Sequence, residues 1–86
     1  MKTTNMTNRN GKAVANQFII TGDGVKIFKS YSSVIVKIEG GKTYVDANKW
    51  NFSRTTAKYR NIFLGEDTKT TERKIKEGVY ILANLN

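Results

Sequence analysis

The stretch Ser33–Asp46, SVIVKIEGGKTYVD, constrains the fold of this chain more than any other. Val34, Val36 and Ile38 alternate with Ile35, Lys37 and Glu39, the period of a strand with one face toward a core. Gly40–Gly41 follows. Both central residues of a two-residue hairpin turn need positive φ, which glycine adopts without a steric penalty. KTYVD over 42–46 then returns as the partner strand. An isolated hairpin is at best marginal in water, so the rest of the chain must cover or extend this one.

The residues before it supply more strands. VANQFIIT, beginning at Val14, is rich in β-branched residues. Gly22-Asp23-Gly24 offers left-handed positions for a turn. VKIFK, from Val25, places Val25 and Ile27 on one face and Lys26 and Phe28 on the other. SYSS, ending at Ser33, reads as a loop or bulge. Residues 1–12 are rich in Thr and Asn and show no apolar periodicity. They are expected to form a mobile basic tail, with Lys2, Arg9 and Lys12.

After Trp50 the period changes. Ser53 suits an N-cap and Gly65 the left-handed position that ends a helix. Between them Thr55, Tyr59, Ile62 and Phe63 share one face of a helical wheel, expected to be the core face. Arg54, Lys58 and Asn61 fall on the opposite face, and Arg60 lies to one side of it. Asp67 or Thr68 can cap a second helix over 69–77, closed by Gly78. VYILANL, from Val79, is apolar on both faces, as a central or well-covered strand is. The expected architecture is α+β in the order ββββααβ. An antiparallel meander of about four strands is covered on one face by two short helices, and one C-terminal strand completes it. Residues 13–86 form the single domain.

Composition excludes much chemistry. The chain of 86 residues has no cysteine and no histidine. It therefore lacks thiolate nucleophiles, zinc–thiolate sites and the commonest general base. GGKT at 40–43 is not a phosphate loop. The first glycine of that motif falls on Val36, and strands rather than a helix flank the pair. Gly22-Asp23-Gly24 lacks the third glycine and the helix of a dinucleotide site. Asp46 with Glu66 or Asp67 makes a metal cluster only if the fold brings them together, and Glu66-Asp67 otherwise places favourable charge at a helix start. Ser53 and Lys58 on a helix surface are inert as a dyad, because nothing buries the lysine to lower its pKa. The expectation is no catalytic residue, no metal, no cofactor and no enzyme.

What remains is binding. The formal net charge is +8, a balance that favours anionic partners. The helix face Arg54, Lys58 and Asn61, with Arg60 beside it, is expected to meet phosphates. Lys69, Arg73, Lys74 and Lys76 on the second helix extend the patch. Tyr31, Tyr44, Trp50 and Phe52 lie at loops or strand ends and are candidates for stacking on unpaired bases; Trp50 serves equally well as core. No apolar run is long enough to span a bilayer, and MKTTNMTNRNGK lacks the apolar core of a secretory signal.

NQFII (16–20), FKSYSSVI (28–35), GKTYVD (41–46), W-x-x-S-x-T-T-x-K-Y-R-N-x-F-L-G-E (50–66) and K-I-K-x-G-x-Y-I-L (74–82) together resemble a family of small domains encoded by bacteriophages and related mobile elements. The resemblance spans nearly all of residues 16–86 and implies no biochemical activity and no catalytic residue. It implies a phage-type protein of the host bacterial cytoplasm that acts by binding. Two functions follow as expectations. One is a nucleic-acid-binding module. The other is an inhibitor of a host defence complex, of anti-CRISPR or anti-restriction type, that occupies an acidic protein surface or a guide RNA.

Overall fold

A computed structural model describes every residue from Met1 to Asn86. The chain runs β1 (Lys2–Thr7), β2 (Ala13–Gly22), β3 (Val25–Ser30), β4 (Ser33–Glu39), β5 (Lys42–Asp46), α1 (Arg54–Leu64), α2 (Thr68–Lys76) and β6 (Tyr80–Ala83). The class is α+β, as expected, but the sheet has six strands in sequence order. All pairs are antiparallel except β5 with β6, which are parallel. The parallel pair follows from connectivity. The two helices between β5 and β6 carry the chain back to the start of β5, so β6 must run alongside it.

Residues 2–7 do not form the expected tail. Lys2–Thr7 is an edge strand antiparallel to β2, and a register shift between Asn5 and Thr7 accompanies the burial of Met6. Threonine suits a strand even without apolar alternation. The loop that follows is fixed by Asn8, whose Oδ1 accepts from the backbone N–H groups of Asn10 and Lys12.

The hairpin at 40–41 forms as read, with φ of 60° at Gly40 and 74° at Gly41. The alternation read in β4 does not hold throughout. Phe28 pairs with Val36 and Lys29 with Val34, so Ile35 is the extra residue of a bulge. The bulge turns Ile35 and Val36 together into the core, where both are fully buried.

One rung crosses the sheet beneath the helices. Ile19 pairs with Phe28, Phe28 with Val36 and Val36 with Val45. Both helices lie on this side. Phe63 of α1 stacks on Phe28 with ring centroids 5.7 Å apart, and Tyr80 of β6 reaches the hinge between the helices. The apolar core comprises Met6, Phe28, Ile35, Val36, Val45, Tyr59 and Tyr80. β6 is the far edge strand rather than a central one, which leaves Ile81 38 % and Leu82 49 % exposed.

Candidate nucleic-acid interface

The caps of α1 are those read from sequence. Ser53 Oγ accepts from the Thr56 N–H, and Gly65 at φ 71° donates its N–H to the Asn61 carbonyl. The helix is turned about its axis from the expected setting. Thr56, Tyr59 and Arg60 are its buried residues. At 100° per residue this centres the inward face roughly 65° from the one through Thr55, Tyr59, Ile62 and Phe63. The turn exchanges two side chains. Ile62, expected in the core, is 56 % exposed, and Arg60, expected to meet phosphate, is fully enclosed.

Arg60 is a structural tie. Its Nη1 donates to the Trp50 carbonyl at 2.6 Å and to Asn51 Oδ1 at 3.1 Å. Its Nη2 donates to Asn61 Oδ1 and Thr68 Oγ1, both at 2.8 Å. The guanidinium lies 5.1 Å from the Trp50 ring centroid. Burial pushes the Arg60 pKa below its ordinary value, and the charge of Glu66 opposes that shift. Trp50 is half-buried and packs on the core, so its ring closes the loop before α1. Asn61 also donates to Thr68 Oγ1. Arg60 therefore leaves the expected contact surface, and half-buried Asn61 and Trp50 are engaged in holding it.

The cations of α2 are mostly matched by acids. Arg73 pairs with Glu77 and Lys76 with Glu72, each at 3.3 Å and one helical turn apart. Lys74 Nζ donates to Glu66 Oε1 at 2.8 Å. The same carboxylate accepts from the Tyr80 hydroxyl at 2.6 Å and from Thr71 Oγ1 at 2.7 Å. Burial alone raises the Glu66 carboxyl, but the hydrogen bonds from Lys74, Tyr80 and Thr71 outweigh it and hold the group below its usual range. Glu66 thus ties the helix hinge, α2 and β6 into one knot. Asp46 is occupied elsewhere. Its carboxylate accepts from the N–H groups of Leu85 and Asn48. Among the acidic side chains no group of three converges on a point where a metal ion could sit.

Arg54, Lys58 and Lys69 are the exposed cations of the expected set that enter no ion pair. Arg54, Lys58 and Ile62 succeed one another four residues apart along the outer face of α1. That helix contains no Asp or Glu. The β1–β2 loop faces this stripe. Arg9 and Asn10 from the loop and Lys58 and Ile62 from the helix line one cleft of about 270 Å³, with Tyr59 among its walls. Arg9, assigned to a tail from sequence, is thereby placed beside Lys58. Neither joins an ion pair. Only pairing of residues 2–7 with β2 brings them together, and no local signal encodes that pairing. Of the expected stacking aromatics, Tyr31 and Phe52 are exposed in loops, whereas Tyr44 is half-buried on the sheet face away from the helices.

The chain belongs to a family of unknown function, DUF8033, whose match covers residues 1–78 and so takes in β1 and the loop carrying Arg9. No curated protein and no solved structure matches it. No helix is long and apolar enough to cross a membrane.

Proposed function

We propose that this protein is a non-enzymatic nucleic-acid-binding module that grips the phosphate backbone with Arg54 and Lys58 of α1 and Arg9 of the β1–β2 loop. The reading rests chiefly on the cleft that Arg9 and Lys58 share. Two cations from separate elements flank it, and neither has an acid to neutralise it. Such a pair repels itself unless an anion lies between, and a phosphate answers that need while releasing condensed counterions. Asn10 and the Tyr59 ring add polar and aromatic surface next to the charge. The family resemblance adds a setting, a phage or mobile element acting in the cytoplasm of a host bacterium.

The test is fluorescence anisotropy with labelled duplex and single-stranded oligonucleotides over a salt series. Log affinity falls linearly with log salt, and Lys58→Ala reduces the slope by about 0.9 on duplex or about 0.7 on a single strand. Affinity that does not respond to salt rules the reading out.

A second reading is supported by Ile62. An isoleucine 56 % exposed next to Lys58 gives nothing to a phosphate but suits a protein surface. On this reading the same face occupies an acidic patch of a host defence complex. Pull-down from bacterial lysate separates the two. A partner lost after nuclease treatment supports nucleic acid, and a stoichiometric protein that survives it supports the inhibitor.

A further inference from the structure

The face of the sheet turned away from the helices is not the polar surface expected of a solvated antiparallel sheet. Its central rung runs through paired residues across all six strands: Thr3, Ile20, Ile27, Lys37, Tyr44 and Ile81. The neighbouring rung contains Phe18 opposite Lys29, with Val34 beyond. Phe18, Ile20, Ile27 and Tyr44 are only half-buried and take no part in the core under the helices. No element of this chain covers them.

Two features of this face decide what it fits. Each aromatic ring sits directly opposite a lysine on the next strand, Phe18 with Lys29 and Tyr44 with Lys37. The order across β2 to β5 is ring, lysine, lysine, ring, and at about 4.8 Å per strand the two rings lie roughly 15 Å apart, a span of a few extended nucleotides. A second copy of this chain is a poor occupant. It would set lysines against lysines on molecules that each carry a net charge of +8. The acid Glu39 at the rim is engaged with Lys37 at 3.3 Å, and both side chains remain more than a third exposed. Two rings with cations between them suit a strand whose bases are unpaired, since every base offers a π-face and every linkage a phosphate.

We infer that this helix-free face is a platform for single-stranded nucleic acid, with Phe18 and Tyr44 stacking on bases and Lys29, which enters no ion pair, meeting a phosphate between them. The inference takes from the proposed function only that the ligand is nucleic acid. It adds a second surface and a preference for single strands.

The test uses a fluorescein-labelled oligothymidylate and a labelled hairpin duplex. Phe18→Leu and Tyr44→Leu keep apolar bulk and remove the rings. Each weakens single-strand binding at least about fivefold and leaves the salt slope and duplex binding unchanged. Lys29→Gln, a surface change that spares the fold, lowers the single-strand slope by about 0.7, and Lys37→Gln, which removes a lysine already engaged by Glu39, lowers it less. Single-strand affinity unchanged in the ring and lysine variants alike, with circular dichroism showing an intact fold, overturns the platform. So does a dimer in sedimentation equilibrium that Tyr44→Lys disperses, because the occupant is then a second copy. Lys58→Ala in parallel keeps the two claims apart. If it alone weakens binding, the helix site stands and the platform falls; if the sheet variants alone do so, the platform stands and the helix site falls.

Discussion

The two helices carry similar basic sequences and present different surfaces. α1, RTTAKYRNIFL, has three cations and no acid. One cation turns inward to tie down the preceding loop, and Arg54 and Lys58 stand unpaired outside. α2, TKTTERKIK, has more cations, yet Arg73, Lys74 and Lys76 each have a carboxylate within 3.3 Å. Counting lysines and arginines therefore misjudges where an anion would bind. The helix with fewer exposed cations has the stronger claim, because a phosphate approaching α2 also meets Glu72 and Glu77. Exposed i,i+4 pairs contribute only about 0.3–0.5 kcal/mol to stability, but they shape the local field.

The comparison breaks most visibly at Arg60, the α1 cation that serves structure. Arg60→Ala removes four hydrogen bonds and the contact with Trp50. It leaves the Trp50 carbonyl and Asn61 Oδ1 without their donor in a partly emptied site. Urea denaturation is expected to show a loss of about 2–4 kcal/mol, a large fraction of the stability of a domain this size. Arg60→Lys recovers little, since an ammonium cannot reproduce the planar fork. An unchanged midpoint for Arg60→Ala would place Arg60 back among the surface cations and undo the contrast.

Next in size is the α2 knot. Glu66→Gln loses the charge that draws in Lys74, Tyr80 and Thr71, and is expected to cost about 1–3 kcal/mol. The pH dependence has a definite sign. The folded carboxyl titrates below its unfolded value, so its contribution is full above the ordinary carboxylate range near pH 4.3 and fades as pH falls through the lowered folded value. Thermal melts of the parent protein should drop over that acid window, and Glu66→Gln should show a shallower drop. Parallel pH profiles for the two proteins would mean that the knot contributes nothing.

How much of this was legible in the sequence depends on the range of the interactions that decide it. Ser53, Gly65, Asp67 and the Gly40–Gly41 turn are local signals, and each started, ended or turned an element where read. β1 was not legible because an edge strand that buries only Met6 needs no apolar period. The bulge at Ile35 escaped because Val34, Ile35 and Val36 are three apolar residues in a row, so alternation cannot show one inserted residue. The setting of α1 was misjudged for a related reason. The wheel ranks arginine as outward and isoleucine as inward, but the acceptors at Trp50 and Thr68 reward the opposite arrangement. Trp50 lies in the loop before α1 and Thr68 in the first turn of α2, and their approach to Arg60 is tertiary. The candidate site shows the same division. Arg54 and Lys58 were readable from helical spacing, whereas Arg9 joined them only through the β1–β2 pairing.

The smallest effect on stability tests the central claim most directly. Arg54→Ala/Lys58→Ala and Arg73→Ala/Lys76→Ala each remove two positive charges from the same chain, and neither should change the melting temperature by more than a few degrees. The measurement is duplex affinity against salt for the parent and both variants. The account predicts that the α1 variant loses about 1.8 from the log–log slope, two contacts at about 0.9 each, while the α2 variant stays close to the parent. Equal losses from both variants would contradict it, since net charge rather than an unpaired cationic face would then govern binding.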